Sequence, residues 1–371
     1  MKIGITCHPT AGGSGIVATE LGIALAEKGH TIHFVTTEHP FRLPDCRENI
    51  FCHCVDLISY PLFRYPLCAF ALANRICQVA EEHAIQLWHA HYATPHATCA
   101  IMAREMLPPE KRFKIVTTLH GTDITLVGTD PSFFRITKFA MENSDAVTAV
   151  SKWLTRETER EFDLTSPVRT IYNFVNEDLL AHARADRAAL APKNEKIVMH
   201  ISNFRPVKRV TDIVRAFAKI ADQVPARLVM VGEGPERLSA AAVVKQLGLS
   251  DKVTFLGNYR AIENILPAAD LLLQPSEHES FGMVPLEAMA CRVPVIATAS
   301  GGIIEVVEHG VTGYLCEVGD TDCMAAWAIE LLTDAERARQ MGEQGRERAL
   351  RLFPKDKIVA QYEALYSELV G

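Results

Sequence analysis

No stretch of this 371-residue chain strings together the roughly 20 apolar residues that a membrane-spanning helix requires. An excess of positive charge is missing too: 38 lysines and arginines face 45 aspartates and glutamates, for a formal charge of −7. Nucleic-acid binders normally carry a basic stripe, so no nucleic-acid partner and no stable membrane association are expected. Low-complexity tracts and solenoid repeats are absent, and 48% hydrophobic with 22% charged residues is the composition of a folded protein. The ten cysteines are scattered, with one tight cluster, Cys52-His53-Cys54. No second Cys/His pair follows at ligand spacing, so the cluster reads as a strand or loop with buried thiols rather than a zinc site. The opening MKIGITCHPT lacks a signal-peptide core and enters a strand pattern at once, so a cytoplasmic protein is expected.

What the chain does have is alternation. Short apolar strands are predicted at 2–6, 31–35, 85–88, 114–119 and 146–150, with helical patterns between them. The clearest helix is 16–28, with Val17, Leu21, Ala24 and Leu25 on one face and Gly29 as its stop. A second series follows VRTIYNFVNEDLL, with strands at 196–201, 226–231, 253–256, 270–274 and 293–297. Such alternation implies parallel sheets covered on both faces. The expected fold is α/β, with two doubly wound Rossmann-like domains, residues 1–170 and 171–353. A final amphipathic helix, 354–371, is expected to pack back on the N-terminal domain. Ligands of such sheets bind beyond the C-terminal strand ends, so functional residues are expected in post-strand loops of both halves, lining a cleft.

In CHPTAGGSGIVATEL, Gly13 to Ala18 fit the dinucleotide fingerprint G-x-G-x-x-[GA], and Glu38 lies where a ribose-binding acid would stand. Cys7 to Ala11 intervene before Gly12, a longer excursion than a dinucleotide turn makes. The N–H groups of Gly13, Ser14 and Gly15 at a positive helix end suit a phosphate or carboxylate. A turn that merely needs glycine is the plain alternative, and a nicotinamide-dependent oxidoreductase is the remote one. His89, His91 and Tyr92 in WHAHY, and His120 and Thr122 in LHGTD, each follow a predicted strand. A histidine there donates to a sugar hydroxyl or satisfies a nearby carbonyl; no carboxylate at ligand spacing makes the three histidines a metal set. SNFRPVKR brings Arg205, Lys208 and Arg209 to a helix N-terminus, where cations are disfavoured unless an anion is bound. A solvated basic turn is the alternative.

The turn GEGP (Gly232 to Pro235) is followed by GNYR, whose Tyr259 and Arg260 are placed to stack on a nucleobase. In SEHESFGMVPLEAMACRVPVIAT, Glu279 ends a loop, Ser280-Phe281-Gly282 opens a helix, and Glu287 lies inside it, on a helix too apolar for the surface. A carboxylate at 287 can accept both hydroxyls of a ribose, and the amides of Phe281, Gly282 and Met283 can hold sugar or phosphate oxygens. Asp320-Thr-Asp322 fits a D-x-D metal pattern, but it opens a helix, and capping by an aspartate accounts for it.

Taken in order, the glycine loop, HGTD, the basic turn, GEGP and the E-x7-E of Glu279 and Glu287, followed by AMACRVPVIAT and GGIIEVV, resemble glycosyltransferase family 4, which has the GT-B fold. The likeness runs over essentially the whole chain. Within the family it is closest to a branch acting on L-malate, through KIGITCHPTAGGSGIVATELG, HFVTTEHPFRL, HAHYATPHA, VTTLHGTDITLVGTDPS, TAVS, TIYNFVNE and ISNFRPVKRV. The resemblance implies a retaining enzyme that moves N-acetylglucosamine from UDP-N-acetylglucosamine to the hydroxyl of L-malate, the first step of bacillithiol synthesis, without cofactor or metal. It assigns Glu287 to the UDP ribose, Glu279 and the backbone of Ser280 to Gly282 to the donor sugar, Lys208 to the diphosphate and His120 to the sugar 6-hydroxyl.

Gly13, Asn203, Tyr259, Phe281 and Met283 complete the expected donor set. The family's arginine five positions before the lysine is replaced here by Asn203, and Arg205 is expected to take over its charge. Ser14, Arg42, Tyr92, Thr122 and Arg135 are the expected acceptor residues. Departure of UDP builds negative charge on its β-phosphate, which fixed cations and helix N-termini stabilise. The resemblance implies that the departing phosphate takes the acceptor's proton, so no enzyme base is assigned. The rival within the class transfers sugar to a lipid or polysaccharide, and this acidic chain shows no basic N-terminal patch for it. A homodimer is left open.

Overall fold

The computed structural model describes residues 1–10, 12–44, 47–56, 67–177, 186–259 and 261–371. They form two compact units: Met1–Asn173 with Asp356–Gly371, and Phe174–Lys355.

In the first unit, β1 (Lys2–Thr6), β2 (Thr31–Thr36), β3 (Ile50–Cys54), β4 (Leu87–His91), β5 (Lys114–Leu119), β6 (Ala146–Ala149) and β7 (Val168–Thr170) form a parallel sheet. Its order is β3-β2-β1-β4-β5-β6-β7. The winding reverses between β1 and β4, so the loops after those two strands flank the switch point where such sheets bind ligands. Strand β4 runs three residues further than its apolar pattern suggests, and this corrects the sequence reading: His89 and His91 lie inside the strand, both fully buried. Pairing with β1 on one side and β5 on the other gives their backbone groups partners, and the sheet carries the imidazoles inward with it.

Helix α1 (Gly13–Glu27) buries Val17, Leu21, Ala24 and Leu25, as the periodicity requires, and each large apolar side chain so buried is worth about 1.5–3 kcal/mol. Its start depends on Gly15: a Cβ there would stand 2.3 Å from the His8 carbonyl oxygen and 2.7 Å from that of Thr10. A Cβ on Gly13 would meet nothing within 4 Å. Helix α2 (Cys68–His83) buries Leu72, Ala73, Ile76, Val79 and Ala80. The terminal helix Lys355–Val370 buries Ile358, Val359, Tyr362, Leu365 and Tyr366. Tyr366 Oη lies 2.6 Å from His89 Nδ1, and Glu363 is 3.0 Å from His30.

In the second unit, β8 (Lys196–Ile201), β9 (Ala226–Val231), β10 (Val253–Gly257), β11 (Leu271–Gln274), β12 (Val295–Thr298) and β13 (Gly313–Cys316) form a parallel sheet ordered β10-β9-β8-β11-β12-β13. Its switch point falls between β8 and β11. Helix Val210–Ala221 lays Ile213, Val214, Phe217 and Ile220 into a core with Leu228, Met230, Leu273 and Tyr314. Cys316 and Cys323 form a disulfide with Cα atoms 6.1 Å apart, a pairing not foreseen from the scattered cysteines. Among the described residues, no helix is long and apolar enough to cross a membrane.

Candidate active site

In the second unit the loops after β8 and β11 meet. Ser202 to Arg205 lead into the tight turn Pro206–Lys208, and Arg209 (φ +48) opens the helix Val210–Ala221. The Glu277 N–H donates to the Val207 carbonyl at 2.8 Å, and Lys208 Nζ donates to Glu279 Oε1 at 2.5 Å. Gln274 Nε2 (2.9 Å) and Ser276 Oγ (2.8 Å) donate to the same oxygen; no described residue donates to Oε2. Burial pushes the Glu279 carboxyl up, but the Lys208 charge and these hydrogen bonds outweigh it and hold the group below its ordinary value. Its main chain is held as firmly. The Gly302 N–H donates to the Glu279 carbonyl at 2.6 Å, and a Cβ on Gly301 would stand 2.1 Å from that oxygen.

The other cations of the basic turn differ in their commitments. Arg209 pairs with Asp212 at 2.6 Å, whereas Arg205 is exposed and has no ion pair among the described residues. Beneath the turn, His200 Nδ1 lies 2.9 Å from the Leu273 carbonyl and its Nε2 lies 2.7 Å from Ser202 Oγ, which also accepts from the Phe204 N–H. That chain of bonds fixes the tautomer: Nδ1 carries the proton and Nε2 accepts from the serine. His200 thereby shapes the loop bearing Asn203, and nothing in its sequence neighbourhood announces this.

Helix Met283–Ala290 starts at Gly282. Its first internal bond runs from the Leu286 N–H to the Gly282 carbonyl, and Pro285 has no N–H. Met283 and Val284 therefore supply its first-turn donors. Phe281 is buried, with its ring edge-on to Phe353, so its side chain is core and only its backbone is available to a donor. Ser280 is half-buried. Glu287 is the helix's one charged residue, half-buried among buried neighbours. Tyr259 is exposed, Asn203 half-buried, and Arg260 lies outside the described residues. Asp320 caps its helix through the Cys323 N–H at 2.8 Å, and Asp322 holds Lys219 at 2.6 Å.

In the first unit, Asp123 joins the loops after β4 and β5. Its Oδ1 accepts from the His120 and Gly121 N–H groups (3.1 and 2.8 Å), and its Oδ2 from that of Ala93 (3.2 Å). Burial raises its carboxyl to about 6 in spite of those bonds. His120 Nε2 lies 2.9 Å from His91 Nδ1, and the Tyr92 ring stacks on His120 with centroids 5.5 Å apart. Tyr92 has a φ of +97°, sparsely populated for a residue with a Cβ and frequent where function imposes strain. His8 meets both Tyr92 and His96 edge-on. Burial, then the nearby His8, push His120 down to about 3, so it acts as a neutral hydrogen-bonding group. Both ring nitrogens of His96 are buried with no described hydrogen-bond partner; neither His96 nor Asp123 was singled out from the sequence.

Thr122 opens the short helix Thr122–Thr125 and is half-buried. In α1 the first internal bond runs from the Ile16 N–H to the Gly12 carbonyl, which leaves the amides of Gly13, Ser14 and Gly15 as first-turn donors. Arg42 lies 3.7 Å from Glu20, so its charge is already matched from α1. Arg135 is exposed on the helix Phe134–Glu142.

Residues 11–179 match the model of Glycosyltransferase Family 4, and residues 183–348 that of Glycosyl transferases group 1. This chain belongs to glycosyltransferase family 4. The family 4 chain is 49% identical over 375 residues to N-acetyl-alpha-D-glucosaminyl L-malate synthase of Bacillus anthracis, covering 100% of itself and 97% of that relative. It is 27% identical to the uncharacterized glycosyltransferase MJ1178 of Methanocaldococcus jannaschii, over 87% of itself and 86% of that protein. Among solved structures it is similar to sucrose-phosphate synthase from Thermosynechococcus elongatus, with a TM-score of 0.83, 26% identity, and coverage of 100% and 99%. Anabaena Alr3699/HepE, solved with UDP-glucose, gives a TM-score of 0.83 at 21% identity, with coverage of 99% and 100%, a likeness of fold. This glycosyltransferase thus has two Rossmann-like units of GT-B type, and sugar transfer replaces the dinucleotide reading of its glycine loop.

Proposed function

We propose that this glycosyltransferase moves N-acetylglucosamine from UDP-N-acetylglucosamine to the hydroxyl of L-malate, with retention at the anomeric carbon, as a cytoplasmic step of bacillithiol synthesis. The observation that carries this reading is the 49% identity over the full chain to N-acetyl-alpha-D-glucosaminyl L-malate synthase of Bacillus anthracis. The malate oxygen bonds to C1 as the bond from C1 to the β-phosphate oxygen breaks. The electron pair leaves with UDP, and the freed phosphate oxygen takes the hydroxyl proton. Lys208 and Arg205 neutralise the charge that develops on the phosphate, Glu279 Oε2 accepts from a sugar hydroxyl, and Glu287 holds the ribose. Neutral His120 serves the sugar 6-hydroxyl, while Ser14, the α1 amides, Tyr92, Thr122, Arg42 and Arg135 receive malate. The Asp320-Asp322 pair caps a helix and holds Lys219, and this reading assigns it no metal.

UDP release from purified protein and UDP-N-acetylglucosamine, with and without L-malate, is the test. Malate-dependent release, unchanged by EDTA, is expected, with an α-linked product by NMR. Release that ignores malate, or none, overturns the reading, and a requirement for Mn²⁺ overturns the metal-free mechanism. Arg42→Ala and Arg135→Ala are expected to raise the malate KM; if neither does, those two arginines leave the acceptor site.

A further inference from the structure

The Cys52-His53-Cys54 cluster finds partners that spacing along the chain conceals. His33 on β2 and His83, the last residue of α2, both lie beside His53 on β3. One ring nitrogen from each of the three lies within 4.8 Å of the other two. His33 Nδ1 and His53 Nε2 are 3.0 Å apart, and the His33 and His83 rings lie 4.3 Å centre to centre. Ligand bonds of 2.0–2.1 Å at tetrahedral angles put imidazole nitrogens about 3.3 Å apart, so the first pair already stands at ligand separation. A modest turn of the half-buried His83 ring brings in the third.

We propose that His33, His53 and His83 form a three-nitrogen site for a zinc-class divalent ion, which fastens the edge strand β3 to α2. All-imidazole donors favour borderline first-row ions over magnesium or calcium. The C-terminal end of a helix carries partial negative charge, and His83 presents its ring there. His53 and His83 are only half-buried, giving the ion a way in and solvent a fourth ligand position. The contact that must yield is Arg75, whose Nη2 lies 3.4 Å from His53 Nδ1. When His53 Nε2 takes the ion, its proton moves to Nδ1 and that weak bond is released. Glu82, with a carboxylate oxygen 4.0 Å from His83 Nε2, adds a nearby negative charge. The site lies at the β3 edge of the sheet, away from the loops after β4 and β5, so it stands or falls independently of the transfer reaction.

The test uses the full chain, stripped with a chelator and titrated with Co²⁺ as a spectroscopic substitute and with Zn²⁺ by calorimetry. One equivalent of Co²⁺ is expected, with visible bands of tetrahedral strength and no near-ultraviolet thiolate charge transfer. His53→Ala and His83→Ala are expected to weaken binding at least ~10-fold, while Cys52→Ser/Cys54→Ser leaves it unchanged. Zn²⁺ raises the Tm of the wild type but not that of His83→Ala, whose partly exposed position keeps it foldable even if a change at His33 does not. No Co²⁺ spectrum at equimolar metal, binding unchanged in both histidine variants, or bands lost with the cysteines would each overturn the proposal.

Discussion

A lysine bonded at 2.5 Å to a carboxylate is not a free cation waiting for phosphate. Lys208 and Glu279 are both largely shielded, with side chains 19% and 13% exposed, and in such pairs losing one partner costs more than the pair contributes. A diphosphate near this turn must share Lys208 with Glu279, so the two residues should respond in opposite ways to substitution. Glu279→Gln keeps an oxygen for Gln274 and Ser276 and releases Lys208. It is expected to bind UDP at least as tightly as wild type in calorimetry while transfer falls by ~10²–10³, the usual cost of losing one transition-state contact. Lys208→Ala strands a buried carboxylate and removes the cation, so UDP binding, transfer and Tm should all fall. Weakened UDP binding in Glu279→Gln would show that the ion pair positions Lys208 instead of competing for it.

At the scale of elements, the terminal helix Lys355–Val370 carries two kinds of polar contact that differ sharply in worth. Tyr366 Oη is buried against His89 Nδ1 at 2.6 Å, and His89 Nε2 lies 2.6 Å from Thr118 Oγ1. Glu368 makes a two-pronged pair with Arg169, both bonds 2.7 Å, but on an exposed surface. Tyr366→Phe leaves a buried ring nitrogen without its partner, at a cost of about 1–3 kcal/mol, and should lower the melting of the first unit by several degrees. Glu368→Ala, on the open surface where solvent screens the pair, should leave it almost unmoved. Equal losses in thermal scans of the two variants would refute this division. The same contrast marks what was legible in the sequence. Lys208, Glu279 and His120 stood out because a charge or ring beside a strand end is conspicuous. Asp123, Gln274, Ser276 and His200 did not, because their roles exist only across loops brought together by the sheet. Arg42 stands out in the sequence as a lone cation, and only the fold shows Glu20 of α1 beside it.

For the whole molecule, alternating strands and helices disclosed both parallel sheets because central strands such as β1 and β8 are short, apolar and bounded by polar turns. The strands that escaped notice are at the edges: β3 is half-exposed and its IFCHC sequence does not alternate, β7 has three residues, and β13 begins in glycine. β3 buries too little to leave a pattern, and β7 and β13 are too short to show one. The two units also differ in what they bury, and that difference predicts how they respond to acid. The first encloses His89, His91 and His96; burial, then neighbouring histidines, push His89 and His96 down to about 3 and His91 well below its ordinary value.

An unfolded histidine takes up a proton near pH 6.5, and these do so only far lower. Their contribution to stability is therefore intact above pH 6.5 and drains as pH falls, by about 1.4 kcal/mol per pH unit for each, or about 4 for the three. Asp123 works the other way: its folded carboxyl, raised to about 6 from 3.8, holds a proton that the unfolded chain has released, and restores about 1.4 kcal/mol per unit over that window. His120 adds to the loss. The second unit buries His200, held to about 4, and loses only about 1.4 kcal/mol per unit from it. Hydrogen–deuterium exchange between pH 7 and pH 5, corrected for intrinsic rates, should therefore show β4 and β5 losing protection before β8 and β9. His96→Phe, which removes one buried proton acceptor, should shift that loss to lower pH. Simultaneous opening of both sheets, or earlier exposure of β8 and β9, would mean that the buried imidazoles do not set the acid limit of this fold.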